Sequence, residues 1–286
     1  MLGLELNEPG FDYSLLSEFR ARLIAGRAEL LLLDGLLQRV EALGLLKRRG
    51  RQRTDSTHVL AAVRTLNRLE RVGETLRAAL NALAVVAPEW LRTQAPSEWY
   101  DRYGQRVEHD DLPKTEAARQ ALAARLGADG QALLRAIDAS GQAWLQQVPT
   151  VQLLRRVWAE QDITDAGELR WREVKEMPPP AELLCSPSDP EARYSTRRAR
   201  EWVGYKVHLT ETCDPDLPHL LTNVETTPAT TPDDNMVAVV PASLAARDRL
   251  PAEHLVDKGY TDAHVLVDSQ RDYGVTIVGP VAEDPS

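Results

Sequence analysis

Cysteine is scarce. Only Cys185 and Cys213 occur in 286 residues, far apart and without the spacing of a zinc site. No disulfide framework is implied, and two isolated thiols suit a reducing cytoplasm. Long apolar runs are also lacking: none approaches the length of a membrane span. The most apolar patch, Leu30 to Leu33, is closed by Asp34. The start, Met1-Leu2-Gly3-Leu4-Glu5, has no basic region ahead of an apolar core, so no signal peptide is visible. Aromatics are few apart from six Trp, which the sequence assigns to packing rather than to base stacking. There is no surplus of positive charge either. A net charge of −9 argues against a uniformly basic nucleic-acid binder, although phosphate contacts depend on local clusters.

Two such clusters are present: Lys47, Arg48, Arg49, Arg51 and Arg53, then Arg193, Arg197, Arg198 and Arg200. The ordinary reading of each is a solvated charged face. The length allows one large domain or two ordinary ones, with a sizeable core.

Residues 12–46 read as two helices. Phe11, Leu15, Leu16, Phe19 and Leu23 share a face that Gly26 interrupts; Leu30 to Leu43 continues it as far as Gly44. Such a pair needs a partner surface, either as a packing subdomain or as a DNA-binding or dimerising arm. A short extended segment then leads into Asp55. From Thr57 onward, Leu60, Val63, Leu66, Val72, Leu76, Leu80 and Leu83 recur at helical spacing until Pro88. Ala117 to Leu126 and Gln131 to Ile137 read as short helices separated by Gly127-Ala128-Asp129-Gly130, and Pro149 marks a kink or boundary in the next. Met177-Pro178-Pro179-Pro180 and the polar stretch after it form the clearest linker.

Beyond the linker the period changes from helix to strand. Trp202, Tyr205, Val207 and Leu209 alternate with polar residues, with Gly204 as an irregularity. Leu220 to Thr226 reads as the antiparallel partner strand. A helix starts at Thr231-Pro232-Asp233-Asp234, where a proline and acids suit the first turn. Glu253 to Val256 is a strand ending at Asp257, Asp262 to Asp272 a helix, and Val275 to Val278 a strand. Without the helical block the order is β-β-β-α-β-α-β, which makes an α/β (α+β) mixed sheet.

Asp55 would lie at the first strand and Asp257 at the end of the fourth. Each alone is ordinarily a cap or a loop acid. Together, at strand ends where connectivity changes direction, they form the kind of site a divalent cation needs for phosphodiester chemistry. A third carboxylate normally completes such a cluster. Glu283 is a poor candidate, because it sits in an acidic tail with no helix to fix it. If the two acids do not meet, a helical interaction protein is the remaining reading.

Arg51-Gln52-Arg53-Thr54-Asp55-Ser56-Thr57-His58-Val59, with Leu66-Asn67-Arg68-Leu69-Glu70 after it, resembles the DDE transposases of bacterial insertion sequences. So do Glu201-Trp202-Val203-Gly204-Tyr205-Lys206-Val207-His208-Leu209 and His254-Leu255-Val256-Asp257-Lys258-Gly259-Tyr260. The resemblance covers nearly the whole chain. It implies an RNase H-like core with a large helical insertion: an N-terminal helical segment (1–49), the first strand and acid (50–60), the insertion (61–177), a linker (178–200) and the rest of the core (201–286). Asp55 and Asp257 would be catalytic and metal-binding, holding Mg²⁺ or Mn²⁺, with two ions in the family's complete site. Arg51, Arg53, Lys206 and Lys258 would contact nucleic acid.

The implied partners are transposon-end and target DNA, with room for a homo-oligomer and none for a membrane or a small-molecule substrate. The implied location is the bacterial cytoplasm, at the nucleoid. The family's third acid, a Glu on a later helix, falls beyond Ser286, and the start resembles the middle of the family's N-terminal region. The expectation is therefore a chain truncated at both ends and inactive alone. The alternative is an inactive DNA-binding or inhibitory transposase remnant.

Overall fold

The structure, a computed structural model, describes residues 12–26, 28–63, 66–107, 112–165, 168–197, 200–261 and 263–280. Helices α1 (Tyr13–Ala25) and α2 (Leu31–Ala42) precede strand β1 (Arg51–Leu60). A helical block follows, with α3 (Arg68–Val86), α4 (Pro88–Gln94), α5 (Glu98–Tyr103), α6 (Glu116–Ala139) and α7 (Pro149–Gln161). A small hairpin, β2 (Asp162–Asp165) and β3 (Glu168–Trp171), comes next. The remaining elements are β4 (Arg193–Arg197), β5 (Arg200–Thr212), β6 (Leu221–Pro228), α8 (Met236–Ala246), β7 (Glu253–Val256), α9 (Ala263–Tyr273) and β8 (Thr276–Val278).

The fold is mixed helix and sheet, as expected. Its main sheet runs β4-β5-β1-β7-β8, and β6 also pairs with β5. β1 and β7 are parallel, as are β7 and β8, whereas β4 and β5 are antiparallel. Cys213 N–H donates to Arg51 O and Ala61 N–H to Val203 O, both at 2.9 Å. Numbers rise along β1 as they fall along β5, so that pair is antiparallel. The bonds Thr212 N–H to Leu220 O and Ala229 N–H to Gly204 O make the same case for β5 and β6.

The chain divides into two compact units. The first takes the described residues of Met1–Ser56, His208–Glu225 and Pro232–Ser286. Here α2 buries Leu37 and is tied down by two ion pairs, Asp34 with Arg247 and Glu41 with Arg249. Gly44 ends that region with φ +72°, a conformation glycine adopts without a Cβ penalty. Leu15, Leu16 and Phe19 of α1 stay exposed. Met236, Val240 and Leu244 of α8 pack with Tyr260 against Val256. Gln52, Thr54 and Ser56 alternate inward from β1 and are satisfied as polar core residues. Gln52 donates to Arg249 O and accepts from Thr222, while Thr54 bonds both Thr210 and His254 at 2.7 Å.

The second unit, Thr57–Val207 with Thr226–Thr231, holds the larger apolar core. Its spine is α3, which opens on a capping box between Asn67 and Glu70 and buries Leu69, Val72, Leu76 and Leu83. The helix expected from Thr57 thus begins at Arg68 instead. Thr57 to Leu60 remain in the strand, where β-branched Thr57 and Val59 suit a pleated chain.

A second correction concerns α6, one continuous helix where two were expected. Its glycines permit contact rather than a break: Trp158 Nε1 donates to Gly127 O at 3.0 Å, and a Cβ on Gly130 would collide with the Trp158 ring. Pro149 does mark a boundary, the start of α7. The stretch read as a linker ends in β4, which pairs with β5 from Arg193↔Gly204 to Arg197↔Arg200. The β2–β3 hairpin, paired Asp162↔Trp171 to Asp165↔Glu168, had not been expected. Gly204, the irregularity in β5, has φ +154° and backs onto the Val59–Ala61 backbone so closely that no side chain fits.

Candidate functional site

β1 and β7 pair in the register Arg51↔Glu253, Gln52↔His254, Arg53↔Leu255 and Thr54↔Val256. The next residue on each strand is an acid, Asp55 on one and Asp257 on the other. The acids therefore keep the 202-residue offset of every pair in the ladder; Asp257 follows the end of β7, whereas Asp55, expected at a strand end, lies inside β1, which runs on to Leu60. Adjacent strands lie about 4.8 Å apart, and residues at equal register share a face. Arg51 and Glu253, four positions earlier on the same face, show this sidedness, with Arg51 Nε donating to Glu253 Oε1 at 2.8 Å.

Local hydrogen bonds orient both carboxylates. Asp55 Oδ1 accepts from Ser56 N–H at 2.7 Å, and Asp257 Oδ1 accepts from Gly259 N–H at 3.0 Å in the turn after β7. A third acid is close by. Asp233, ahead of α8, accepts from the Ser56 hydroxyl at 3.1 Å. A Cβ built on Gly259 would lie 3.2 Å from Asp257 Oδ1 and 3.5 Å from Asp233 Oδ2, so the two carboxylates flank the same glycine. Burial pushes the Tyr260 phenol above its ordinary pKa, and the charges of Asp233, Asp257 and Asp55 push it the same way. Asp233 had been read only as a helix-start acid; its approach to Asp257 has no local signature in the sequence.

Hard divalent cations prefer such oxygen donors, and Mg²⁺ takes one or two protein carboxylates beside waters and phosphate oxygens. Asp55 and Asp257 supply oxygen donors of that kind. Among the described residues, no three His, Cys, Asp or Glu side chains are grouped closely enough to form a complete protein cage. Glu283 lies outside the described residues.

The basic residues around the acids are largely engaged. Arg51 pairs with Glu253, and Arg53 donates to Glu211 at 2.5 Å. Lys47 approaches Asp214 and Asp216, and Arg48 pairs with Glu41 and Asp248. Arg49 caps the Tyr273 and Gly274 carbonyls. This run is laced into its own unit rather than forming an open patch. Lys258 is exposed immediately after Asp257. In the second unit, Lys206 Nζ donates to Thr231 O at 2.7 Å, and the His58 ring lies 5.3 Å from Trp202. Arg197 and Arg200 face each other where β4 meets β5, while Arg198 lies outside the described residues.

Two further histidines, His208 and His254, are core residues. His208 is fully buried against Tyr260, and His254, bonded to Thr54, is pushed down to a pKa of about 4 by burial. Of the tryptophans, Trp99, Trp158 and Trp202 are buried and Trp144 is exposed. In the second unit a cleft of about 590 Å³ is lined by Arg68, Trp171 and Arg172 beside Glu116 and Glu173. No helix among the described residues is long and apolar enough to cross a membrane. No family model, curated protein or solved structure matches the chain.

Proposed function

We propose that the chain is a DDE-type transposase polypeptide whose RNase H-like core serves metal-dependent DNA strand cleavage and strand transfer. The observation that carries this reading is the parallel β1–β7 register, in which Asp55 and Asp257 each follow a member of the last pair, Thr54↔Val256. The strand order supports it as well. β6-β5-β1 are antiparallel and β1-β7-β8 parallel, with helices after the third and fourth of these strands, the arrangement the resemblance implies.

In this reading Asp55 and Asp257 hold the cation as carboxylates, each already kept in place by a backbone N–H. A divalent cation bound there supplies Lewis-acid activation of the attacking oxygen and stabilises the leaving one. Lys258, exposed next to Asp257, is the cation best placed to meet a phosphate in this unit. Arg51 and Arg53 reach DNA by exchanging Glu253 and Glu211 for phosphates. Such a swap costs little, because exposed ion pairs contribute about 0–1 kcal/mol.

A second reading follows from the same resemblance. It is a DNA-binding or inhibitory transposase remnant that lacks cleavage. Incubating the chain with duplex DNA and Mg²⁺ or Mn²⁺ separates the two. Nicking that disappears in Asp55→Ala supports the enzyme. Salt-sensitive binding without nicking selects the remnant, and neither binding nor nicking removes both.

A further inference from the structure

The backbone ladder between β1 and β7 stops at Thr54↔Val256, one residue short of the acids. Beyond that point β7 has ended at Val256 while β1 runs on to Leu60, so no rung of this ladder fixes Asp257 against Asp55. A buried chain of side chains spans the gap. The Tyr260 hydroxyl lies 2.6 Å from His208 Nδ1 and also hydrogen-bonds Ser56, and the Ser56 hydroxyl donates to Asp233 Oδ2 at 3.1 Å. His208, Tyr260 and Ser56 are 0%, 2% and 7% exposed.

Ser56 directly follows Asp55, and Tyr260 closes the short turn that begins at Asp257. We propose that Tyr260 and Ser56 are positioning residues, whose hydrogen bond replaces the missing ladder rung and holds the two acids at metal-sharing distance. Asp233 anchors the far end of the chain and His208 the near end. This rests on the metal-site reading above. The partners of a first-ligand shell set its geometry, and losing one costs about 10–100-fold in metal affinity.

The test is Mn²⁺ binding to the full chain, followed by electron paramagnetic resonance. Tyr260→Phe keeps the ring and loses the hydroxyl, Ser56→Ala loses the relay, and Ser56→Thr retains a hydroxyl. The expected result is Mn²⁺ affinity about 10-fold weaker in Tyr260→Phe and Ser56→Ala, near wild type in Ser56→Thr, and unchanged circular dichroism in all three. If Tyr260→Phe does not fold, the Ser56 pair decides. Wild-type affinity in Ser56→Ala, with binding still dependent on Asp55, overturns the positioning role and leaves the metal site standing. Wild-type Mn²⁺ binding indifferent to Asp55 and Asp257 overturns both.

Discussion

The Ser56 hydroxyl meets the Asp233 carboxylate at 3.1 Å across 177 residues of chain, joining the middle of β1 to the turn ahead of α8. A hydrogen bond to a charged group contributes about 1.5–3 kcal/mol, and relief of repulsion from Asp257 offsets part of its loss. Asp233→Ala should therefore lower unfolding stability in urea by about 1–2 kcal/mol. Asp233→Asn, whose amide oxygen still accepts, should lose less than half as much.

Gly130 is the point at which α6 admits the Trp158 ring. Gly130→Ala forces that ring out of the core, and overpacking of this kind costs about 1–3 kcal/mol. Gly35 makes the control. It lies in α2 with open space where a Cβ would stand, so Gly35→Ala should stabilise by about 0.5–1 kcal/mol. Thermal melts of the two variants should shift in opposite directions.

Asn67 closes the capping box that starts α3, the spine of the second unit. Asn67→Ala should cost about 1 kcal/mol. Asn67→Asp should cost less, because it preserves the acceptor and places a negative charge at the helix N-terminus. Urea midpoints of the three proteins give the ranking directly.

His254 gives the fold an acid-sensitive limb. Burial depresses its folded pKa from 6.5 to about 4, so the unfolded chain takes up this proton first as pH falls. Its contribution is fully present above about pH 6.5, declines as pH drops toward 4, and is exhausted below that. The total is about 3 kcal/mol. His254→Gln should flatten this limb in stability curves measured from pH 7 to pH 4, relative to wild type.

Much of the main sheet was legible because its strands announce themselves locally. β7 is a short apolar run ended by Asp257, and the alternation in β5 survives around Gly204. The helical pair before residue 46 was likewise marked by Gly26 and Gly44. Glycine misled in α6, where Gly127 and Gly130 have the composition of a loop but exist to receive Trp158. Periodicity misled at Thr57 to Leu60, because four residues that fit a helical repeat are held in β1 by pairing with β5. β4 was hidden in a charged stretch whose strand character comes only from its partner.

At the candidate site Asp257 sits just past its strand as the sequence suggested, whereas Asp55, expected after a short extended segment, lies inside the longer β1. Asp233, Ser56 and Tyr260 could not be linked that way. Their contacts are made by side chains brought together by the sheet, and nothing in their local spacing encodes them. The basic run was visible but its engagement was not, because Glu253, Glu211 and Asp214 lie more than 150 residues away.

The account depends most on Asp55 and Asp257 sharing one cation. Titrating Mn²⁺ into the wild type, Asp55→Asn, Asp257→Asn and the double variant by calorimetry tests that sharing directly. A shared site predicts that either single change removes the binding heat as completely as both together. Single variants that each retain wild-type binding would contradict it and leave the two acids as independent carboxylates.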